Sequence, residues 1–578
     1  MTEPLRVWAP RATAVSVETN DERRALERQD DSGWWCGDPP VQDYSFVLDH
    51  GAARPDPRSR WQPNGVHGPS RPIKHAAYRW TDAGWSCRDL LGSVIYELHV
   101  GTFTDEGTFG AAIKRLGHLV ELGIDFVEIM PVNAFPGRRG WGYDGVDLYA
   151  VHDPYGGPDE LKAFVDACHN HGLGVILDVV YNHLGPDGNY LPEFGPYFTD
   201  KHETPWGAAV NLDDEGSAEV RAFFIDNARQ WSCDYHFDGL RLDAVHAFVD
   251  DSPQHFLAEL HDAVAKLRAE LGRPLFLIAE SDLNDPRVIT ARDAGGYGMD
   301  AQWSDDFHHA LHAALTGERN GYYADYGSLA DLAKALTEGF VYTGQHSAYR
   351  GTQHGAPLPA SVSGHQLLGY LQDHDQVGNR ARGERSAALM PRELLYVGAA
   401  LVLTSPFTPM LFMGEEWGAS TPWQYFTDHQ NEDLARAVRD GRRSEFAAFG
   451  WDPADVPDPQ DPATFARSCL DWTEPLRSPH RELLDWHRDL IVLRRLWPDL
   501  REGVRNRVRV RFDDDARWIV VHRGDIVVAC NLADASQSVP IEGDISGAVP
   551  RVLLASAQPR HVSHKHVDLA PRSVAIVK

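Results

Sequence analysis

The nine residues Gly239-Leu240-Arg241-Leu242-Asp243-Ala244-Val245-His246-Ala247 decide how the rest of this 578-residue chain is read. They begin at the end of a short apolar run and set an Arg and an Asp two residues apart. Side chains alternate along a strand, so Arg241 and Asp243 share a face. A carboxylate beside a guanidinium stays ionised at neutral pH. An ionised carboxylate is what covalent catalysis by Asp requires. An isolated R-x-D is ordinarily a structural pair, and the surrounding sequence must supply any further meaning.

Outward from this stretch, apolar β-like runs alternate with helix-like segments. The runs are residues 94–99, 126–130, 174–180, 238–243, 275–280, 299–303, 367–372 and 410–413. Several are continuously apolar, as parallel strands covered on both faces should be. Residues 108–122, 158–171, 217–233 and 253–271 carry helical patterns between them. Eight such units predict an α/β protein with a (β/α)8 TIM barrel. An open doubly wound sheet is the alternative, but no G-x-G-x-x-G follows the first run. Two connections are long, residues 183–234 after strand three and residues 304–364 between strands six and seven. Long connections in compact domains usually serve function.

The barrel is expected to fill residues 89–494, flanked by β-rich units at 1–88 and 495–578. The first unit shows short strand-like runs separated by Gly, Pro and Asp turns, which fit a β-sandwich. Asp56-Pro57-Arg58-Ser59-Arg60-Trp61-Gln62-Pro63 and the stretch from Gly65 to Ser70 read as an ordered linker, with Trp61 the residue that should dock it. In the last unit, residues 508–512, 518–522, 526–531 and 574–578 read as strands. Arg505, Arg507, Arg509 and Arg511 alternate with smaller residues, as the wet face of a strand would.

Net charge is −29. That disfavours nucleic acid and anionic membranes as partners and suits a neutral or cationic ligand. The six cysteines, at 36, 87, 168, 233, 469 and 530, form no C-x-x-C pair. A zinc or redox motif is therefore not expected, and reduced thiols in a cytoplasmic protein are. Residues 1–6 lack an apolar signal-peptide core, and no run is long enough to span a bilayer.

In a TIM barrel the active site lies at the C-terminal strand ends. Here those ends carry Glu97 and His99, Glu128, Asp178 with Asn182 and His183, Arg241 with Asp243, Glu280, Asp305 and Asp306, Asp373 with His374 and Asp375, and Glu415 with Glu416. Several carboxylates, an Arg and His residues without metal-ligand spacing suit glycoside hydrolysis, which uses one carboxylate nucleophile and one protonated carboxyl acid. Asp243 beside Arg241 fits the first role. Glu280 ends the apolar run Leu275-Phe276-Leu277-Ile278-Ala279, where desolvation keeps a carboxyl protonated, and so fits the second.

Asp178-Val179-Val180-Tyr181-Asn182-His183, the stretch from Gly239 to His246, Ile278-Ala279-Glu280 and His374-Asp375 resemble, in order, the four signature regions of the α-amylase family of glycoside hydrolases. The resemblance extends over essentially the whole chain. It implies the barrel, an N-terminal sandwich like a carbohydrate-binding module, and the C-terminal β-domain. It also implies a catalytic triad of Asp243, Glu280 and Asp375, with Asp375 gripping sugar hydroxyls. His183, His374 and Tyr143 would hold the same sugar, and Arg241 and Asp178 would support the nucleophile. His246 would border the leaving group. Asp373 departs from the family, where many members have Asn.

Further stretches, around Asp56 to Ser70, from Met299 through Asp305 to His309, and Arg442-Arg443-Ser444-Glu445-Phe446, resemble family members that cut the α-1,4 bond next to a terminal trehalose. That resemblance implies α-1,4-glucan substrates, no cofactor, no required metal, and a metabolic link to the synthase that makes the capped substrate. A glycogen branching or debranching enzyme shares the triad and remains the nearest alternative. A non-catalytic carbohydrate-binding relative is the alternative of another class.

Overall fold

A computed structural model describes residues 4–20, 22–204, 207–447, 456–541 and 550–578. Residues 1–3, on which part of the N-terminal reading rests, lie outside it.

Eight parallel strands close into a barrel in sequence order. They are β1 Ile95–Leu98, β2 Phe126–Ile129, β3 Gly174–Val179, β4 Gly239–Leu242, β5 Phe276–Ala279, β6 Ala301–Trp303, β7 Leu367–Gly369 and β8 Thr408–Phe412. Each falls on one of the eight apolar runs. The pleat explains why the runs look continuous. Ile95, Phe126, Ile176, Ile278, Leu368 and Met410 fill one buried cluster with Ala301 and Trp303. Their outward neighbours, such as Tyr96, Val127, Leu177 and Leu240, are buried in the larger core that includes the covering helices.

The covering helices include Gly157–Asn170, Ser217–Asp234, Phe256–Leu271, Asp305–Thr316 and Arg392–Leu403. The segment expected as one helix over 108–122 is two, Phe109–Ile113 and Leu116–Leu122. Thr108 caps the first by accepting from the Ala111 N–H. The helix expected from residue 253 begins at Phe256, because the His255 ring accepts from the Leu257 N–H.

The N-terminal unit pairs Leu5–Trp8, Trp34–Gly37 and Glu27–Arg28 in one sheet. A second sheet holds Arg23–Ala25, Val15–Thr19, Tyr44–Leu48 and Ala53–Arg54. The irregular stretch that follows is docked on the barrel, and Trp61 is its anchor. The indole donates to Asp153 Oδ1 at 2.8 Å, the Trp61 backbone bridges to Val151, and the Arg71 guanidinium stacks 4.9 Å from its ring. The C-terminal unit is a five-stranded antiparallel sheet with a two-stranded companion. Arg505 is not on its wet face. It lies in a turn before the strand, and its guanidinium donates to the carbonyls of Glu338, Val362 and Pro359.

The connection between β6 and β7 is not a bare loop. It holds Asp305–Thr316, Leu329–Glu338 and a hairpin of His346–Ser347 with Thr352–Gln353. All six cysteines are free thiols. No helix among the described residues is long and apolar enough to cross a membrane.

Candidate active site

The same pleat that fills the barrel floor with apolar residues puts charge two residues higher. Glu97 stands above Ile95, Glu128 above Phe126, Asp178 above Ile176 and Glu280 above Ile278, while Arg241 sits two residues beyond Gly239 and two before Asp243. The mouth is therefore a charged layer resting on an apolar plug.

Arg241 is its hub. The side chain is fully buried, and Trp303 lies flat beneath it at 4.3 Å. Nη1 donates to Asp178 Oδ2 at 2.8 Å and to Asp243 Oδ1 at 2.9 Å, and Nη2 stands 2.9 Å from Glu280 Oε2. One guanidinium thus spans both candidate catalytic carboxyls. Asn182 Nδ2 donates to the other Asp243 oxygen at 2.7 Å. Burial alone would raise the Asp243 carboxyl. Arg241, His183, Asn182 and His374 outweigh it and hold Asp243 below the usual carboxylate range.

Glu280 goes the other way. Burial pushes it well above the ordinary glutamate value; Arg241 opposes this, while Asp243, Asp375 and Asp305 reinforce it. The two carboxyls are driven apart, one toward the anion and one toward the acid, which is the arrangement two-carboxyl chemistry needs. The backbone locks the pair. Ala244 adopts φ 41°, a conformation L-residues take only under constraint, and in it donates its N–H to Glu280 Oε2 at 2.7 Å.

Tyr143 and His374 form the next wall, their rings stacked at 5.2 Å. The Tyr143 hydroxyl donates to Asp178 Oδ2 at 2.6 Å, so it must accept from His374 Nε2 at 2.8 Å. His374 Nδ1 donates to Glu97 Oε1 at 2.5 Å. Both ring nitrogens therefore carry protons. Burial would favour the neutral ring, but Glu97, Asp375 and Asp373 together hold His374 well above the usual histidine range. Asp178 is pushed up to about 6 by burial, against the pull of Arg241. His183 turns Nδ1 to Asn182 Oδ1 at 2.5 Å and Nε2 to the Tyr143 carbonyl at 3.1 Å, so any bond to a sugar would replace one of these.

Asp375 rides the short helix His374–Gly378. Its side chain is about one-third exposed, and Oδ1 accepts from Asn379 Nδ2 at 3.2 Å. Asp373 is the cap of that helix, accepting from the N–H groups of Asp375 and Gln376 at 2.9 and 3.0 Å. Asn would cap equally well, so the departure at this position preserves the device. Arg442 comes from the helix Glu432–Ala447 and donates to the Gly378 carbonyl at 2.5 Å, so this stretch also borders the site.

His246 is at the rim, with Nδ1 3.7 Å from Asp282 Oδ1. Not every acid at a strand end reaches the mouth. Glu416 turns outward, where its carboxylate meets His118 Nε2 at 2.8 Å and the Tyr96 hydroxyl at 3.2 Å. Glu415 is buried beside it, where it accepts from the Phe412 N–H at 3.3 Å. Asp306 clamps its own connection to the one before it, accepting from Asn284 Nδ2 and the Val341 and Tyr342 N–H groups. His99 is packed against Thr102, Tyr155 and the Gly140 carbonyl.

Residues the strand-end pattern passed over are Tyr370, which donates to Asp305 Oδ1 at 2.6 Å, and the pair Asp282–Arg350. Their partners lie 65 and 68 residues away, beyond any local pattern.

The α-amylase resemblance implies that many amylases hold calcium near the position of Asn182. Here the Asn182 amide is committed to Asp243 and its oxygen to His183, so the residues do not fit a cation. Among the described residues, His202, Asp213 and Asp251 form one group of possible ligands. Lys201 Nζ, 2.8 Å from Asp213 and 3.8 Å from Asp251, already supplies the positive charge there.

Comparison with known proteins agrees with the geometry. Residues 80–204 match the family described as alpha amylase, catalytic domain, and residues 505–576 match a domain of unknown function, DUF3459. A crystal structure of a putative alpha amylase from Salmonella typhimurium superposes with a TM-score of 0.89, at 37% identity, over 99% of this chain and 97% of that one. Fold and site together define a glycoside hydrolase of the α-amylase type.

The malto-oligosyltrehalose trehalohydrolase of Arthrobacter ramosus is 53% identical over 94% of this chain and 95% of its own. That of Mycobacterium tuberculosis is 49% identical over 99% of both. The chain belongs to the malto-oligosyltrehalose trehalohydrolase family. A glucan branching enzyme of Bacillus cereus is more distant, 29% identical over 73% of this chain.

Proposed function

We propose that this protein hydrolyses the α-1,4-glucosidic bond next to the terminal trehalose of maltooligosyltrehalose, releasing trehalose with retention at the cut carbon. The observation that carries the chemistry is the single buried guanidinium that contacts both Asp243 and Glu280 while burial drives Glu280 toward its protonated form. The near half identity to trehalohydrolases along the whole chain supports the substrate.

In this reading Asp243 attacks the anomeric carbon, and Glu280 gives its proton to the departing trehalose oxygen. The result is a glycosyl ester on Asp243 and free trehalose. Glu280, now a base, takes a proton from water, which attacks the same carbon and frees Asp243. Tyr143, His183, His374 and Asp375 hold the sugar undergoing attack, and Arg241 keeps the nucleophile ionised. His246, beyond the nucleophile and beside Asp282, contacts the leaving group.

No step calls for a cofactor. The substrate would come from an enzyme that turns the reducing end of a maltooligosaccharide into a trehalose unit, maltooligosyltrehalose synthase. The six free thiols fit a reducing cytoplasm.

The test is incubation with maltooligosyltrehalose and, separately, with amylopectin. Trehalose release from the first, with the branching of the second unchanged, is expected. Chain transfer on amylopectin without trehalose release would instead support the branching reading.

A further inference from the structure

The loop that follows β8 lines a cavity of about 460 Å³ with its residues 417–422. The chain just before the helix Arg392–Leu403 and the start of the helix His480–Leu496 complete the walls. That is the size of an ordinary small-molecule site. None of the lining residues belongs to the sugar-holding wall of the mouth. Most are apolar, with Ala387, Leu395, Ala419, Pro422 and Leu483 among them.

Arg385 breaks this apolar lining. It is only 2% exposed. Its Nε donates to the Thr421 carbonyl and its Nη1 to the Met413 carbonyl, both at 2.8 Å, so it ties the two ends of the loop together. The third nitrogen, Nη2, is buried and has no hydrogen-bond partner among the described residues. The Thr421 hydroxyl, on another lining residue, is buried and has none there either. Burial draws the Arg385 pKa down to about 10, against Tyr96, Glu416, Glu415 and Glu474, so the guanidinium stays charged at neutral pH. Those carboxylates act from a distance and do not accept from Nη2. Glu416 meets His118 and Tyr96, and Glu474 accepts from the Trp417 indole and the Ser420 N–H.

The remaining charges give the cavity a sign. Arg392, partly exposed, stands among the lining residues as a second cation. Glu384 is the one carboxylate among them, and it is engaged elsewhere, 3.7 Å from Arg380 Nε and accepting from the Arg382 N–H. In a chain of net charge −29 this is a local reversal. A buried charged donor without an acceptor is costly, and an anion entering the cavity would remove that cost.

We propose that this cavity is a second ligand site, separate from the glucan mouth, for a small organic anion. A carboxylate or phosphate head would accept from Arg385 Nη2 and the Thr421 hydroxyl, and a compact apolar body would pack on Leu395 and Leu483. The site does not depend on which glucan the mouth cuts.

The experiment titrates the full-length enzyme with phenyl phosphate and with benzoate by calorimetry, with Tm measured alongside. Two further probes separate charge from body: inorganic phosphate lacks the apolar ring, and benzyl alcohol lacks the charge. At least one organic anion should bind at a single site and raise Tm, and the tighter of the two identifies the head. Both control probes should bind about tenfold more weakly or not at all. Thr421→Val keeps the side-chain shape and removes the hydroxyl, and should weaken the anion about tenfold. Arg385→Gln should abolish binding; if that variant fails to fold, Thr421→Val and Arg392→Gln carry the test. Benzyl alcohol binding as tightly as the anions would make the cavity a plain apolar hole. Inorganic phosphate binding as tightly would leave the apolar walls without a role. Unchanged affinity in both Thr421→Val and Arg392→Gln would place the anion elsewhere, and no binding of either organic anion would overturn the proposal outright.

Discussion

Replacing Arg241 by Lys separates electrostatic support of the nucleophile from simple packing. The guanidinium meets Asp178 at 2.8 Å, Asp243 at 2.9 Å and Glu280 at 2.9 Å. An ammonium is a single point and cannot span three carboxyls set around a planar fork. Most of those contacts should go. Breaking a buried ion pair from one side costs about 3–5 kcal/mol. That does not exceed the roughly 5–15 kcal/mol by which folded proteins are stable, so the variant should fold with a lowered Tm.

The second consequence concerns pH. Burial is the largest influence on Asp243 and acts to raise it; Arg241 is the first influence opposing it. With the fork gone, the folded-state pKa of Asp243 rises. The nucleophile must be ionised, so the acid limb of kcat/KM should move to higher pH, by about one unit for each 1.4 kcal/mol of support withdrawn. The assay is a pH–rate profile on maltooligosyltrehalose, paired with thermal unfolding. A lower Tm with an unmoved acid limb would show that Arg241 is structural and that something else keeps Asp243 ionised.

Asp243→Asn should reduce turnover by about 10⁴-fold or more while leaving substrate binding measurable by calorimetry; retention of a tenth of the activity would exclude it as nucleophile. Glu280 works in its protonated form and is raised by burial, so activity should fall as pH climbs through its pKa; Glu280→Gln should flatten that basic limb, and an unchanged limb in the residual activity would overturn the assignment. Asp373→Ala should cost about 1 kcal/mol of stability by uncapping the helix that carries His374 and Asp375, and should lower kcat. Asp373→Asn should keep both Tm and kcat near wild type, and equal damage from the two changes would mean that the charge, not the cap, matters.

The barrel was legible because both faces of its strands are buried, so each strand stands out as an apolar run even where it is only three or four residues long. Arg241, Asp243 and Glu280 could be read because a strand end fixes which way a side chain points. That logic stops where the chain turns. After β8, Gly414 takes φ 82°; Glu416 turns away from the mouth toward His118 and Tyr96, and Glu415 accepts from the Phe412 N–H. Asp306 is one residue past Asp305, yet that single step moves it off the inward face and into a clamp on a later turn of the same connection. The Arg350–Asp282 bridge joins residues from two connections, and no periodicity connects them. Arg505 looked like part of an alternating surface stripe. It begins a turn before the strand does, and three carbonyls of the barrel's outer connections claim it.

The most direct test of the proposed hydrolysis is time-resolved proton NMR of wild-type enzyme on a trehalose-capped maltopentaose. Trehalose and a single maltooligosaccharide should form in equal amounts, and the new reducing end should be the α-anomer before mutarotation, since two inverting displacements restore the configuration. The β-anomer appearing first, or glucose and maltose forming without trehalose, would contradict the account.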